Sequence, residues 1–439
     1  MKVCGIDLGT TNSLIGHGDE LYTNLVSSSV DIYEKKQVTR DTIGENIVSS
    51  YKTDMTTGTS GQVPIECSAI ILRELADRAT RRIGESVTDV VISVPAKFSN
   101  TQRAAVYKAA EKAGLTVRGL INEPTAAAIY VCKDMKELIM VFDLGGGTFD
   151  VTILDSRAGN YFVVATGGEG KLAGDNFDKA LAKRALDDMK VKFRFKTPEA
   201  IKRLNADMRI AKESLQKTRS SQYVDMSRFG CSSDWELTEE IYVKTMKEVF
   251  EPTLTITKKI MNANLMETEI PKMVFVGGST ACPYLREWIL EETGLECIEC
   301  DEQPDYIVAK GVAAYAKMVQ EGTASKEVSD VTKCLAIEDE CGMADVIIEK
   351  NTTIPVTEVK TFCNTETTRY LNINLYQGDS IVCRENEYIG TLVYDYGSER
   401  KVGTGFVEIE VTVNRDGIIK LQCSDMSTGA TQDINLVMK

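Results

Sequence analysis

Two short segments of the chain share one design, and they constrain the fold more than any other feature. Val3-Cys4-Gly5-Ile6-Asp7-Leu8-Gly9-Thr10-Thr11-Asn12 is an apolar run that ends in Asp-Leu-Gly-Thr-Thr. Leu138-Ile139-Met140-Val141-Phe142-Asp143-Leu144-Gly145-Gly146-Gly147-Thr148-Phe149-Asp150 repeats it, and Val151-Thr152-Ile153-Leu154 continues the extended pattern. Each segment reads as a strand, a tight Gly/Thr turn and a second strand. A duplicated unit of this kind, with helical segments between the copies, predicts two related α/β lobes facing each other.

Two strand-turn-helix units follow the same plan. Val90-Val91-Ile92-Ser93-Val94-Pro95 leads into a helical pattern in which Asn100 is the expected N-cap and Gly114 the stop. Met273-Val274-Phe275-Val276-Gly277-Gly278-Ser279-Thr280 leads into a helix from Tyr284. Residues 197–265 read as helical and charged, with a polar interruption at 220–234. The texture changes at Glu321-Gly322-Thr323-Ala324-Ser325-Lys326-Glu327. Beyond it, apolar and polar residues alternate strictly: Leu371, Ile373 and Leu375, then Val407, Ile409, Val411 and Val413. Asn414-Arg415-Asp416-Gly417 is a hairpin turn. The C-terminal part is therefore expected to be an all-β sandwich of short strands.

The balance of 51 Lys and Arg against 65 Asp and Glu gives a formal charge of −14. Such a field repels phosphate backbones and anionic lipid, so neither nucleic acid nor a membrane is an expected partner. The single histidine, His17, excludes Ser-His-Asp hydrolysis and multi-His metal sites. No signal-peptide pattern opens the chain, and no run reaches the ~18 to 20 apolar residues of a membrane helix. Twelve cysteines lack a framework spacing, as expected of free thiols in a reducing cytoplasm. Cys297-Ile298-Glu299-Cys300 stands alone and reads as a strand entering a loop.

Gly-Thr-Thr and Gly-Gly-Gly-Thr turns present backbone N–H groups with little side-chain bulk, and such nests hold phosphate oxygens. Thr10, Thr11 and Thr148 add hydroxyl donors, and Asp7, Asp143 and Asp150 supply oxygens for a hard cation. Two such turns, each headed by an aspartate at a strand end, point to nucleotide phosphate. No Walker-type Gly-Lys-Ser/Thr is present.

An ordered set of motifs then resembles one family. The segments are Ile6-Asp7-Leu8-Gly9-Thr10-Thr11-Asn12-Ser13, Val91-Ile92-Ser93-Val94-Pro95-Ala96, Ile121-Asn122-Glu123-Pro124-Thr125-Ala126-Ala127-Ala128, Phe142 to Asp150, and Val276-Gly277-Gly278-Ser279-Thr280. With Lys350-Asn351-Thr352-Thr353-Ile354-Pro355 and Tyr376-Gln377-Gly378, they are similar in order and spacing to the DnaK-like, seventy-kilodalton heat-shock chaperones. The resemblance implies an actin-like ATPase domain over residues 1–322, a linker over 323–330 and a peptide-binding β-sandwich over 331–439. It implies ATP or ADP with magnesium oriented by Asp7 and Asp143. Lys52, Glu123, Asp143, Thr148 and Asp150 form the implied catalytic set, with Lys52 against the γ-phosphate. Gly9, Thr10, Thr11, Asn12, Gly145, Gly146, Gly147, Lys212, Gly277, Gly278, Ser279 and Asp305 are implied to hold the nucleotide. Ile337, Phe362, Leu371 and Ile373 match apolar peptide-pocket positions, and Pro95 and Arg103 match a relay from nucleotide to peptide. Implied partners are extended apolar peptides, with J-domain and nucleotide-exchange co-chaperones.

Several positions depart from the family pattern. Arg209 replaces a usual Glu, while Glu213 and Ala281 replace arginines that stack on adenine, so weaker adenine binding is expected. Lys326-Glu327-Val328-Ser329-Asp330 is polar where the family linker is leucine-rich. Gly119 stands where an arginine that engages the J-domain is usual, and Glu340 where a Met arches over the peptide. A hairpin between Lys52 and Pro64 is missing, and no helical-lid pattern follows the sandwich, so fast peptide release is expected. These departures leave two alternatives to an ATP-hydrolysing chaperone: a nucleotide-sensing scaffold without turnover, and a small-molecule kinase of the same superfold.

Overall fold

The computed structural model describes residues 2–434 apart from 41, 43, 56–61, 133–136, 158–159, 267–268, 325–332 and 351. The two aspartate-headed segments each form the central hairpin of a different sheet. In the first sheet Val3–Leu8 pairs antiparallel with Asn12–His17 and parallel with Asp89–Val94, which continues to Thr116–Asn122. In the second, Leu138–Leu144 pairs antiparallel with Phe149–Arg157 and parallel with Lys272–Val276, and Asn160–Glu169 closes the edge. The parallel strands Val3–Leu8, Asp89–Val94 and Lys272–Val276 are almost wholly buried, which is why they read as apolar runs.

Small residues join the two sheets. Helix Pro304–Glu321 crosses helix Glu123–Val131 so closely that a Cβ on Gly311 would fall 1.8 Å from the Ala126 carbonyl oxygen. A Cβ on Gly5 would lie 2.4 Å from the Val312 carbonyl oxygen. Val91 of the first sheet and Val141 and Val274 of the second share one apolar core with Ala126 and Val312. Any larger residue at 5 or 311 would push these layers apart, because backbone cannot yield as a flexible side chain can.

The polar interruption carries structure of its own. Between helices Pro198–Thr218 and Glu239–Asn264, the strands Gln222–Val224 and Trp235–Leu237 form a small hairpin that buries Trp235 and Leu237. The helix after Pro95 runs from Asn100 to Lys112, but its N-cap is Ser99, which forms a reciprocal capping box with Gln102. This corrects the expectation for Asn100. Its side-chain oxygen accepts instead from Ile419 N at 2.8 Å, so a distant strand takes the group that would have capped the helix. Cys297 bridges Met273 at the edge of the second sheet, and both it and Cys300 carry free thiols.

After helix Pro304–Glu321 the chain becomes all-β. One sheet orders Ala344–Ile348, Leu335–Glu338, Thr368–Gln377 and Glu387–Arg400, and the other Val356–Cys363, Phe406–Val413, Ile419–Asp425 and Thr431–Ile434. Ile337, Ile373, Leu375 and Leu392 face Val407, Ile409, Val411 and Cys423 in a shared core. Glu387–Arg400 has 14 residues, longer than the short strands expected.

The sandwich contacts the first sheet's helix and strand end. Ser99 and Thr101 hydroxyls donate to Glu387 Oε1 at 2.8 and 2.6 Å, and Asn100 N donates to Gln377 Oε1 at 3.2 Å. Asp416, in the predicted hairpin turn, accepts from Tyr107 Oη at 2.7 Å and from Leu120 N at 2.9 Å. Gly119 lies beside it: a Cβ there would stand 3.7 Å from Asp416 Oδ1, an ordinary van der Waals contact.

Candidate functional site

The two glycine turns meet across a cleft of about 440 Å³. Gly9, Thr10, Thr11 and Asn12 line one side, and Gly145, Gly146 and Thr148 line the other. The turns approach too closely for side chains. A Cβ on Gly146 would lie 2.2 Å from Thr11 Oγ1, and one on Gly147 would lie 2.5 Å from Thr10 Cγ2. Gly147 therefore packs against Thr10 and does not itself line the cleft. What remains facing the cavity is backbone amide and hydroxyl, the donor set an anionic phosphate chain requires.

Asp7 and Asp143 stand at the floor, one from each sheet. Ser93 Oγ donates to Asp7 Oδ1 at 2.7 Å. Burial, then repulsion from Glu123, pushes the Asp7 carboxyl up to about 6. Asp143 is raised well above the ordinary carboxylate range, first by burial and then by Glu123, Asp150 and Asp7. Asp150 does not line the cleft. Lys97 Nζ lies 3.4 Å from its Oδ1, and burial raises its carboxyl to about 7 despite that lysine. Converging acids pushed up by burial and mutual repulsion are relieved by a hard cation. Among the described residues no three metal-binding side chains form a cage. The residues present fit a hard cation: a magnesium ion here would be a partner of phosphate oxygens and water, with Asp7 and Asp143 the carboxylates facing it.

Lys52 is buried and pairs with Glu123, and its ammonium lies 5.9 Å from the Phe98 ring centre. Both side chains face the cleft. Glu123 begins helix Glu123–Val131 directly after strand Thr116–Asn122, so strand and helix fix its direction. Asn122, just before it, accepts from Arg103 Nη2 at 2.7 Å. Arg103 also donates to Phe98 O at 3.2 Å and to Asp416 O at 3.3 Å.

The opposite end of the cleft holds the other expected residues. A positive φ of 83° at Gly277 turns the chain there, and a Cβ on it would meet Leu144 O at 2.6 Å. A Cβ on Gly278 would lie 2.6 Å from Asp305 Oδ1. Ser279 Oγ donates to Gly145 O at 2.8 Å. Lys212 is buried and paired with Asp178, whose carboxyl burial pushes up. Glu213, Ala281, Tyr242, Phe250 and Gln216 complete this end.

In the sandwich, Ile337 and Ile373 are core residues, while Phe362 and Leu371 are half-buried against that core. Glu338 accepts from Asn374 Nδ2 at 2.8 Å and Tyr376 Oη at 3.3 Å, and Glu340 is exposed.

Sequence reading missed Arg40, Lys97, Asp178, Ser93 and Asp175 as site residues. Ser93 lies inside the recognised motif Val91 to Ala96 and Lys97 directly follows it, but nothing local marks either as facing a carboxylate. The others are set by tertiary approach.

Residues 33–439 match the family described as Hsp70 protein. The chain is 30% identical over 473 aligned residues to a protein named Chaperone protein DnaK from Mycoplasma mobile, covering 99% of this chain and 78% of that one. The chain belongs to the Hsp70 family. It is also 31% identical over 477 residues to Chaperone protein DnaK from Mycoplasma mycoides subsp. mycoides SC, covering 99% and 79%. As an Hsp70 protein it is an ATP-dependent chaperone, and neither the scaffold nor the kinase alternative is favoured. Among the described residues of this Hsp70 protein, no helix is long and apolar enough to cross a membrane.

Proposed function

We propose that residues 1–322 form a two-lobed, actin-like ATPase domain and that residues 331–439 bind extended apolar peptide. The observation that carries this reading is the convergence of two aspartate-headed glycine turns on one cleft with the Lys52–Glu123 pair. The intervening linker, assigned to 323–330, falls mostly outside the described residues.

In this reading the amides of Gly9, Gly145 and Gly146 and the hydroxyls of Thr10, Thr11 and Thr148 hold the phosphates of ATP or ADP, with Asn12 beside them, while Gly147, packed on Thr10, keeps the turn tight. Magnesium, held from Asp7 and Asp143, would supply charge neutralisation to the phosphates. Lys52 places a positive charge where negative charge develops on the γ-phosphoryl oxygens. Glu123, which faces the cleft, orients the attacking water, while Asp150, outside the cleft lining and paired with Lys97, contributes only its charge. Phosphoryl transfer asks for positioning and charge stabilisation more than a strong base, and no histidine is needed. Lys212, Gly277, Gly278, Ser279 and Asp305 receive the nucleoside. Without guanidinium at 213 or 281, the base is gripped less firmly.

Peptide would lie along the sandwich through backbone hydrogen bonds, with one apolar side chain against half-buried Phe362 and Leu371, which Ile337 and Ile373 back from the core. Arg103 touches both the residue before Glu123 and the Asp416 turn, which supports communication between the two halves. J-domain and nucleotide-exchange partners are part of the same proposal, and Gly119 leaves the J-domain surface short of one arginine.

The test is magnesium-dependent ATP turnover with and without an unfolded apolar peptide. Turnover stimulated by peptide is the expected result. Absence of any ATP binding by calorimetry at millimolar nucleotide would overturn the reading.

A further inference from the structure

The cleft contains one arginine that none of the assigned roles uses. Arg40 follows strand Lys36–Val38, in a turn closed by Thr42 N donating to Thr39 O at 3.0 Å. Its guanidinium reaches across the cleft and pairs with Asp175, in the first turn of helix Gly174–Asp188. That helix start is stacked on the triple-glycine turn: Gly174 N donates to Gly145 O at 3.1 Å and Asp175 N to Gly146 O at 3.0 Å. Arg40 Nη2 lies 3.5 Å from the point where a Gly146 Cβ would stand. The group therefore lies beside the same backbone that the phosphate reading assigns to nucleotide. Its positive charge also reaches Asp178 and Asp305, lowering both against their burial.

Among the described residues lining the cleft, Arg40 is the sole arginine, in a site with Glu213 and Ala281 at the two positions where guanidinium groups were expected. Arg40 and Asp175 are each about one-third exposed, at 29% and 33%. A pair so wet holds weakly. A polyphosphate chain carries more charge and offers paired oxygens to the planar fork of a guanidinium, so it competes well for Arg40.

We propose that Arg40 is a phosphate-binding residue of this cleft, which exchanges Asp175 for the anionic tail of a nucleoside triphosphate. The proposal rests on the nucleotide reading above and adds a ligand contact from the other side of the cleft. Asp175 then acts as a stand-in anion that keeps the guanidinium aimed at the phosphate turn when no nucleotide is bound.

The experiment compares full-length wild type, Arg40→Ala, Arg40→Lys and Asp175→Asn by calorimetry with ATP and with adenosine, in the presence of magnesium. Arg40→Ala is expected to weaken ATP by about tenfold to a hundredfold while leaving adenosine unchanged. Arg40→Lys should recover part of the loss, and Asp175→Asn should keep or improve ATP affinity by releasing the competitor. Equal losses in Arg40→Ala and Asp175→Asn would overturn the proposal, because the pair would then only hold the cleft closed. An unchanged ATP affinity in Arg40→Ala would overturn it as well. Failure of the wild type to bind ATP would instead sink the nucleotide reading.

Discussion

Tyr107 Oη donates to Asp416 Oδ2 at 2.7 Å, joining a helix of the α/β part to a hairpin turn of the sandwich. The same carboxylate takes Leu120 N through its other oxygen at 2.9 Å. Leu120 lies two residues before Asn122, which Arg103 holds and which directly precedes Glu123. One turn of the sandwich thus touches the strand that aims a cleft residue.

Asp416→Ala is expected to loosen the junction between the two halves without damaging either. It removes the acceptor for Tyr107 and Leu120, contacts to a charged group worth about 1.5–3 kcal/mol each. Peptide stimulation of ATP turnover should fall while ATP affinity is kept. Stimulation equal to wild type would show that this turn is not the coupling contact.

Lys52→Ala should lower turnover by about 10²–10³-fold, the scale for losing one preorganised charge in a transition state. The substitution leaves Glu123 without its partner in a nearly buried setting, so the pair Lys52→Met with Glu123→Gln is the control for folding. Both variants should still bind ADP by calorimetry. Turnover within a few-fold of wild type in Lys52→Ala would remove this lysine from the chemistry.

Leu371 and Ile373 should separate binding from stability. Ile373 is 5% exposed in the sandwich core, so Ile373→Ala should cost about 2–5 kcal/mol in chemical denaturation of the full chain. Leu371 is half-buried, so Leu371→Ser should cost less and instead weaken an apolar peptide measured by fluorescence anisotropy. If Leu371→Ser leaves peptide affinity untouched, the pocket lies elsewhere on the sandwich.

Asp89 gives a pH dependence. A 2.7 Å hydrogen bond from Thr88 Oγ1 holds its carboxyl below the usual range against burial, with help from Arg118. A depressed folded-state value means this group contributes stability above the ordinary carboxylate pKa of about 4 and loses it as pH falls further. Asp89→Asn should lower the melting temperature at neutral pH and flatten its decline in acid. Thermal melts that run parallel to wild type over roughly pH 3 to 7 would contradict this assignment.

Much of this molecule was legible along the chain because it depends on neighbours in sequence. Asp7 and Asp143 each end an apolar run and precede a glycine turn, so strand, turn and carboxylate position follow from local geometry. Alternation in Phe406–Val413 marked one face as core, and the observed burial alternates accordingly. Asn100 shows where local reasoning stops. Serine and asparagine cap helices almost equally well, and the choice of Ser99 goes with Ile419 N taking the asparagine side chain.

Arg40 and Asp178 were invisible for a different reason: a charged residue in a turn or on a helix carries no local mark of what it will face. Arg40 and Asp175 are 135 residues apart, and only the packing of the two sheets sets them across one cleft. Sequence alone determined the two glycine turns, their aspartates and the alternating strands, because backbone propensity and periodicity act over a few residues. Tertiary structure decided which charges meet, because electrostatic partnership depends on distance in space and on the water excluded between the partners.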